Sequence, residues 1–382
     1  MKKIMFMINS LNGGGAEKVL QTLLNNLNYN KYDVTLYSMH REEIERFDYP
    51  NQIHYKVIFD KYNGNNSVAK IIYEFFLKVQ GKIFQKLSSN IFYKLYIHEK
   101  YDVEVAFIEG ESTKIIAGSS NKKSKKYAWV HIDLQENPWT EFLYKNVEDE
   151  KKQYQRFDQI LCVSSSVKDA FLNKYHVDDK KVNVLYNPVN TREIIAKSHI
   201  SCQYNEKKRL RMIASGRLVR QKGFDRLLEV VGKLKKDGFQ FELLILGEGE
   251  ERTALEEKVR LLKIEETVKL LGFQSNPYNI MVTGDVLVVS SRSEGYSTVV
   301  TEGIILGLPI IATECAGMRE LFGDMQCGCI TENNVDALYI ALKDILKSPQ
   351  KLEFYREEVK RRRQEFSLEN TMAKIEQLLD YK

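Results

Sequence analysis

Short apolar runs alternate with longer amphipathic stretches along the chain, and this alternation predicts its secondary structure. Runs such as 3–8 and 286–289 have the length and composition of strands that are buried on both faces of a parallel sheet. Between such runs, apolar residues recur at helical spacing, as Leu227, Leu228 and Val231 do. Because strand and helix alternate in both halves, we predict an α/β protein with two doubly wound, Rossmann-like domains that face a cleft.

The alternation is interrupted near the middle of the chain, in the short apolar segment 182–190, which Pro188 breaks. We predict the domain boundary there. The run 159–164 is predicted to be the last strand of the first domain, and 195–208 is predicted to be a polar loop. The predicted domains are 1–186 and 187–360.

The composition describes a globular protein. Of the 382 residues, 43% are hydrophobic and 29% are charged, which excludes a disordered chain. No run of roughly 18 uncharged apolar residues occurs, so no transmembrane helix is predicted. The apolar run 4–8 behind Lys2 and Lys3 is too short for an export signal, and we predict a strand there.

Five scattered cysteines do not make a disulfide framework and are typical of a reducing compartment, so the expected location is cytoplasmic. Cys327 and Cys329 are separated by one glycine, but a metal site would require a second pair of ligands or nearby histidines. The expectation is therefore that the protein holds no metal ion and no cofactor.

The net charge of +5 is unevenly distributed. Segment 61–100 holds seven lysines against Glu74 and Glu99, interleaved with aromatic residues. This composition suits peripheral contact with an anionic membrane on its inner face, or with a lipid-linked substrate. The alternative is a solvated basic face over an aromatic stripe that faces the core. No motif supports binding of nucleic acid.

The segment 285–313 is predicted to form a strand, a polar turn, a helix and a second strand. Glu294 and Glu302 bracket the helix start, with seven residues between them. The free amides of the first helical turn would lie at the carboxyl end of the sheet, where open α/β folds bind ligands. The turn contains the small residues Gly295, Ser297 and Thr298. A ligand oxygen is thus able to approach the backbone closely. The alternative is an ordinary helix with two unrelated acids.

Two cations, Arg217 and Lys222, flank a predicted turn between a strand and a helix. A guanidinium and an ammonium at a helix start suit a diphosphate. The alternative is two surface basic residues.

In the first domain, Gly14 and Gly15 belong to a glycine-rich turn that offers backbone amides, or to an ordinary loop. His131 ends the predicted strand 127–130 and is either functional or structural.

Taken together, these motifs resemble the family 4 retaining glycosyltransferases with the GT-B fold, of the bacterial surface-polysaccharide type. The resemblance rests on the Glu294-x7-Glu302 pair, the Glu-Gly-Tyr-Ser-Thr turn and the Gly-Leu-Pro segment that follows the helix. Gly216-Arg-Leu-x-x-x-Lys-Gly223 and the Gly-Gly-x-Glu loop at Gly14 also match. The resemblance covers essentially the whole chain.

The resemblance implies specific roles. Glu294 and His131 would orient the donor sugar, Glu302 would bind the ribose hydroxyls, and Arg217 with Lys222 would neutralise the leaving diphosphate. Further substrate-binding positions would be Gly14, Gly15, Gly216, Phe273, Gly295, Tyr296, Ser297 and Thr298. The helix 361–382 would pack back towards the first domain. Gly303 stands where the family has alanine, which costs the helix up to about 1 kcal/mol.

The implied reaction is retaining transfer of a hexosyl or N-acetylhexosaminyl group from a nucleotide diphosphate sugar, expected to be UDP-linked. The acceptor would be a cell-surface glycan, with a lipid-linked glycan as one alternative. No Asp-x-Asp sequence occurs, so a metal-independent mechanism is expected. Two alternatives stay open at this stage: a nucleotide-sugar epimerase with the GT-B fold, and a non-catalytic partner subunit of a glycosyltransferase.

Overall fold

The structure is a computed structural model that describes residues 1–11, 14–40, 49–59, 86–204, 206–207 and 209–380. The chain divides into two compact units. Unit 1 consists of Met1–Pro188 and Glu369–Lys382, and unit 2 of Val189–Leu368. The first division lies two residues from the predicted boundary, and the second lies eight residues later than the predicted position of 360.

Unit 1 contains a seven-stranded parallel sheet with the order β3-β2-β1-β4-β5-β6-β7. The strands are β1 (Lys2–Ile8), β2 (Tyr32–His40), β3 (His54–Phe59), β4 (Val103–Ala106), β5 (Lys125–Val130), β6 (Gln159–Cys162) and β7 (Val182–Val184). The described helices are α1 (Gly15–Asn25), α2 (Ser89–Tyr96), α3 (Glu111–Ala117), α4 (Val147–Tyr154) and α5 (Ser165–Tyr175). Apolar strand residues 4–8 are fully buried, as expected for a sheet covered on both faces.

Unit 2 contains a six-stranded parallel sheet with the order β10-β9-β8-β11-β12-β13. Its strands are β8 (Leu210–Ser215), β9 (Phe241–Leu246), β10 (Val268–Leu270), β11 (Val286–Val289), β12 (Ile310–Thr313) and β13 (Gly328–Thr331). Its helices are α6 (Thr191–Ser198), α7 (Phe224–Lys236), α8 (Arg252–Leu262), α9 (Tyr278–Met281), α10 (Thr298–Ile305), α11 (Met318–Phe322), α12 (Val335–Lys347) and α13 (Lys351–Arg363). The predicted α/β class with two parallel sheets is confirmed.

Two local predictions are wrong. The last strand of the first sheet is β7 and not the run 159–164, because Val182 to Val184 pair with β6. The predicted loop 195–208 contains the end of α6. That helix begins after Asn190, whose Oδ1 accepts a hydrogen bond of 3.1 Å from the Glu193 amide and acts as its N-cap.

The last helix, α14 (Leu368–Asp380), packs within unit 1. The Tyr32 hydroxyl lies 2.9 Å from Oδ1 of Asp380, and the Tyr127 hydroxyl donates a hydrogen bond of 3.1 Å to the Leu378 carbonyl. Because Ile375 is fully buried, the helix also contributes to the core of this unit.

The segment predicted to contact a membrane, 61–100, lies outside the described residues from its start to residue 85. Its remainder includes α2, whose Phe92 and Tyr93 are buried while Leu95 is exposed. In the part of the chain that the structure describes, no helix is long and apolar enough to cross a membrane. The five cysteines all lie among the described residues, and none of them forms a disulfide.

Candidate active site

The strand order of the second sheet reverses at its centre. β8 and β11 are neighbours there, although β9 and β10 lie on one side and β12 and β13 on the other. In open α/β sheets, ligands bind outside the carboxyl ends of the strands at such a switch point. β8 ends at Ser215 and β11 ends at Val289, so the loops that follow these residues border the expected ligand site.

Two of the predicted catalytic residues form an ion pair at this point. The Nζ atom of Lys222 lies 2.6 Å from Oε1 of Glu294, and the Ser291 hydroxyl donates a hydrogen bond of 2.6 Å to the same oxygen. Because Glu294 is only 6% exposed, this pair is less screened by water than a surface pair. Ser215, Lys222, Glu294 and Ser297 line one small cavity.

Two glycines bring the loop of Lys222 against the strand ends. Gly216 has a φ of +153°, and a Cβ atom there would lie 3.6 Å from the side-chain carbons of Lys222. Gly223 has a φ of +66°, and a Cβ atom there would lie 2.1 Å from the Ser290 carbonyl oxygen. At Gly223, only glycine combines this backbone conformation with so close an approach, whereas the distance at Gly216 is an ordinary van der Waals contact. The loop therefore contacts the end of β11 directly.

The second predicted glutamate, Glu302, lies in α10 and is 5% exposed. The hydroxyl of the buried Tyr278 donates a hydrogen bond of 3.4 Å to its Oε1. Burial, together with the charge of Glu302, raises the pKa of Tyr278 well above its usual range, so this hydroxyl keeps its proton. Tyr278 was not identifiable from the sequence, because a tyrosine that opens a four-residue helix belongs to no recognisable pattern.

The remaining predicted residues of unit 2 differ in burial. Gly295, Tyr296 and Ser297 are buried, and Ser297 is the N-cap of α10. Thr298 is half-buried, Arg217 is exposed, and Phe273 is 46% exposed. The buried part of the candidate site therefore consists of Glu294 and the turn that leads into α10, with the partly buried Lys222 beside it.

His131 lies in unit 1, directly after β5. Its ring stacks on Trp129, with an interplanar angle of 12°, and contacts Phe107 with ring centroids 5.0 Å apart. Burial lowers the pKa of His131 to about 3, so the imidazole is neutral at neutral pH. Among the described residues, its buried Nε2 atom has no hydrogen-bond partner. A neutral ring with such a nitrogen is able to hydrogen-bond a ligand.

Glu109, which the sequence analysis did not single out, holds the backbone at His131. Its Oε1 accepts hydrogen bonds from the amides of His131 and Ile132, the latter at 3.1 Å. The side chain is 1% exposed, and burial raises the pKa of Glu109 to about 7. The only sequence signal was its position shortly after the mostly apolar run that forms β4, which ends at Ala106.

The glycine-rich turn lies at the start of α1. Gly14 is buried and is the N-cap of this helix, and Gly15 is exposed and opens it. A Cβ atom at Gly14 would lie 2.4 Å from the carboxylate of Glu17. Asn12 and Gly13, which precede these residues, lie outside the described part of the chain. Within the described ranges, no group of three or more His, Cys, Asp or Glu residues is arranged to hold a metal ion.

Comparison with known protein families gives two matches. The family model described as glycosyl transferases group 1 matches residues 198–362, and the model described as glycosyltransferase family 4 matches residues 125–193. The two segments are adjacent and together cover more than half of the chain.

The chain is also similar to individual bacterial proteins over nearly its full length. It is 28% identical over 370 residues to an N-acetylgalactosamine-N,N'-diacetylbacillosaminyl-diphospho-undecaprenol 4-alpha-N-acetylgalactosaminyltransferase of Campylobacter jejuni, with 96% of each chain covered. It is 26% identical over 373 residues to the amylovoran biosynthesis glycosyltransferase AmsD of Erwinia amylovora, with 92% of each chain covered.

Solved structures share the fold. The crystal structure of Anabaena HepE in complex with UDP and glucose has a TM-score of 0.75 at 17% identity, with 99% of each chain covered. The structure of WaaG, a glycosyltransferase involved in lipopolysaccharide biosynthesis, has a TM-score of 0.66 at 15% identity, with 99% of this chain and 100% of WaaG covered. At these identities, the likeness concerns the fold alone.

Proposed function

We propose a specific reaction for this chain, which belongs to the group 1 and family 4 glycosyltransferases and has the GT-B fold. The reaction is transfer of a hexosyl or N-acetylhexosaminyl group from a UDP-linked sugar to a surface glycan, with retention of the anomeric configuration. The observation that carries this proposal is the partly buried Lys222–Glu294 pair at the switch point of the second sheet.

In the proposed mechanism, the bond between the anomeric carbon and the β-phosphate oxygen breaks, and its electron pair stays on the phosphate. Lys222 stabilises the charge that develops there, and it needs little reorganisation because the protein already holds it in place. Arg217, which is exposed, adds a second cation from the same loop. The acceptor hydroxyl attacks from the side on which the diphosphate departs and gives its proton to the departing phosphate oxygen, so the configuration is kept.

Glu302 is proposed to accept hydrogen bonds from the ribose hydroxyls. Its burial and its bond from Tyr278 hold the carboxylate in one orientation, which favours recognition of a fixed pair of hydroxyls. Glu294 is proposed to orient the sugar. The backbone amides from Gly295 to Thr298 are proposed to contact sugar and phosphate, in agreement with the small residues and the N-cap position found there.

The acceptor is proposed to bind to unit 1, near Gly14, Gly15 and the neutral His131. The relative from Campylobacter jejuni is named for an undecaprenol-linked diphosphate acceptor, which supports a lipid-linked glycan here. Such an acceptor would require contact with the inner face of the membrane. The basic aromatic segment 61–100 is the proposed contact, and its residues up to 85 lie outside the described part of the chain.

Two variants test the donor site when a panel of UDP- and GDP-sugars is supplied with a lipid-linked acceptor. Lys222→Ala should reduce turnover by roughly 10²-fold or more, as loss of a preorganised charge-stabilising group does. Glu302→Ala should weaken binding of free UDP in calorimetry. Full turnover of Lys222→Ala, or unchanged UDP affinity of Glu302→Ala, would contradict these roles.

The same assay tests the reaction type. Activity should persist in excess EDTA, and the anomeric proton coupling of the product should match that of the donor. Loss of activity in EDTA that divalent metals restore would overturn the metal-independent mechanism. An inverted anomeric centre would overturn the retaining mechanism. Conversion of the donor to an epimer without acceptor would favour a nucleotide-sugar epimerase instead.

A further inference from the structure

The loop of Lys222 and the loop of Glu294 are joined by more than the ion pair between those side chains. The Arg292 amide donates a hydrogen bond of 2.7 Å to the Gln221 carbonyl, and the Gln221 side chain donates one of 2.9 Å to the Ser293 carbonyl. These bonds tie the residues next to both charged groups. The distance between the two loops is therefore set by several contacts at once.

An ion pair completes this connection on the side of α7. Nη1 of Arg292 lies 2.8 Å from Oδ1 of Asp225, and Nη2 lies 2.7 Å from Oδ2, so the pair is bidentate. Nη1 also donates a hydrogen bond of 2.6 Å to the Arg220 carbonyl, in the same short helical turn as Lys222. The guanidinium lowers the pKa of Asp225, which agrees with a formed ion pair. A bidentate pair fixes direction as well as distance.

A third segment supports Arg292 and the end of β11. The Asn333 side chain donates hydrogen bonds of 2.9 Å to the carbonyls of Arg292 and Glu314. Arg226 donates one of 2.9 Å to Oδ1 of Asn333 and one of 2.6 Å to the Ser290 carbonyl. These hydrogen bonds hold the loop that carries Arg292 in place. The Asp225–Arg292 ion pair therefore holds the Lys222 loop next to a loop that is itself held by several contacts.

We propose that Asp225 and Arg292 are positioning residues, whose ion pair holds the Lys222 loop at the distance from Glu294 that the transfer reaction requires. This inference rests on the proposed role of Lys222. Neither side chain has to touch the substrate. Their effect on the reaction passes through Lys222, because the Asp225–Arg292 ion pair keeps the Lys222 loop at the switch point before the donor binds.

A simpler role for Asp225 has a different consequence. Asp225 lies in the first turn of α7, where a negative charge stabilises the positive end of the helix dipole. That effect would change the stability of the protein and leave the position of Lys222 unchanged. Arg292 makes no contribution of this kind to α7, so variants of the two residues separate the explanations.

The first experiment compares Asp225→Asn with Asp237→Asn. Asp237 follows the last turn of the same helix and pairs with Lys343 at 2.6 Å, with both side chains about one third exposed, as in the Asp225–Arg292 pair. Asp225→Asn should lower kcat by about 10- to 100-fold, the size expected from a displacement of a catalytic group by about 1 Å. Asp237→Asn should leave kcat unchanged.

The second experiment is a double-mutant cycle in kcat between Asp225 and Lys222. If Asp225 acts through Lys222, Asp225→Asn should have little further effect once Lys222 is alanine. Multiplicative losses would overturn the inference. If turnover of Lys222→Ala is too low to measure, Lys222→Arg takes its place, because it keeps a charge with a different reach.

The Arg292 side of the pair provides variants that leave the helix dipole interaction of Asp225 in place. Arg292→Lys should lower kcat, because an ammonium cannot form the two parallel bonds. The exchange of both residues, Asp225→Arg with Arg292→Asp, should restore part of the loss relative to either single change. Absence of any rescue in a double variant with a normal melting temperature would contradict the inference.

The outcomes also separate this inference from the proposed function. Normal turnover of Lys222→Ala would overturn the proposed role of Lys222, whatever the Asp225 variants do. Impaired turnover of Lys222→Ala together with normal turnover of Asp225→Asn would leave the proposed function intact and overturn only the positioning role.

Discussion

At the scale of single residues, the candidate site contains an ion pair between Lys222, the cation proposed to bind phosphate, and Glu294, the carboxylate proposed to orient the sugar. The Nζ atom of Lys222 lies 2.6 Å from Oε1 of Glu294. Glu294 therefore competes with an incoming diphosphate for the same ammonium group. A charged hydrogen bond of this kind contributes about 1.5–3 kcal/mol, and the lysine must give up part of it when phosphate binds.

This competition predicts the behaviour of Glu294→Gln. The variant should bind free UDP about three- to tenfold more tightly, because Lys222 is released and a negative charge near the β-phosphate is removed. Its turnover should nevertheless fall, because the sugar loses its orienting carboxylate. Calorimetry with UDP and a transfer assay measure the two effects separately.

Ser291→Ala is the matched control for that prediction. It removes the other hydrogen bond to Oε1 of Glu294 but leaves the negative charge in place. UDP affinity should therefore not increase in this variant. If Glu294→Gln binds UDP no better than the unmodified protein does, the carboxylate does not compete with phosphate for Lys222.

Sequence patterns identified the residues of this pair but not the pairing. Glu294 and Lys222 each belong to a contiguous motif, and the chemistry of such a motif can be recognised locally. Lys222 and Glu294 are 72 positions apart in the chain, as are the hydrogen-bonded Gln221 and Ser293. Glu109 and Tyr278 belong to no motif, so only the folded structure associates them with His131 and Glu302.

At the scale of elements, glycines determine how closely the loops approach the strands. Gly223 and Gly238 lie at opposite ends of α7, with φ of +66° and +86°. A Cβ atom at Gly223 would collide with the Ser290 carbonyl, but one at Gly238 would meet nothing within 4 Å. The two positions share the left-handed backbone conformation, but only Gly223 is closely approached by another residue.

We therefore predict different outcomes for alanine at the two positions. Both substitutions should cost about 1 kcal/mol for a left-handed residue with a side chain. Gly223→Ala should cost more, because it forces α7 away from the end of β11, and it should lower turnover by up to about 10²-fold through displacement of Lys222. Gly238→Ala should retain full activity. Scanning calorimetry and a transfer assay test both parts, and equal activities would contradict the argument.

Gly303 shows the same principle inside α10. The family resemblance presents this glycine as a cost to the helix. In the structure, a Cβ atom there would lie 2.5 Å from Cδ2 of Leu287 and 2.9 Å from Cδ1 of Ile310. The glycine therefore lets the helix that carries Glu302 lie close to β11 and β12. Helix propensity alone did not reveal this packing role.

Elements with weak or short patterns were the ones that the sequence misassigned. β7 has three residues and includes the exposed Asn183, so it has little of the apolar character of a buried strand. α6 could have been recognised from Asn190, whose side chain caps the start of the helix by accepting a hydrogen bond from the Glu193 amide. Longer elements such as α7 and β1 were predicted correctly, because their hydrophobic pattern extends over several residues or turns.

At the scale of the whole molecule, two buried groups in unit 1 are expected to shape the pH dependence of stability. The pKa of Glu109 is raised by burial to about 7, so its stabilising effect is complete below about pH 4.5 and is lost as the pH rises to 7. The pKa of His131 is lowered to about 3, so stability is lost as the pH falls below about 6.5. Between about pH 4.5 and 6.5 the two effects oppose each other.

In Glu109→Gln, the effect of His131 on the pH dependence of stability should no longer be opposed by that of Glu109. The glutamine oxygen is still able to accept the two backbone hydrogen bonds, but the side chain no longer binds a proton. The free energy of unfolding of the variant should fall relative to the unmodified protein as the pH decreases from 7.5 to 4.5, by up to about 3 kcal/mol. A constant difference across this range would contradict the raised pKa.

The measurement can be confined to unit 1. Both tryptophans of the protein, Trp129 and Trp139, lie in that unit, so denaturation followed by tryptophan fluorescence reports on it alone. Glu104 and Glu150 are also buried carboxyls with raised pKa values, and they are present in both proteins. The contribution of Glu104 therefore cancels in the comparison, whereas that of Glu150 cancels only in part, because its charge also raises the pKa of Glu109.

The sequence by itself determined the α/β class, most strands and helices, and the motifs that contain Lys222, Glu294 and Glu302. These features depend on neighbouring residues, so hydrophobic periodicity and local spacing are sufficient to recognise them. Only the tertiary structure decided which charged groups meet, as in the Lys222–Glu294 and Asp225–Arg292 pairs, and which are buried, as Glu109 is. Such contacts join segments far apart in the chain, and they follow from strand order and close packing, which no local pattern records.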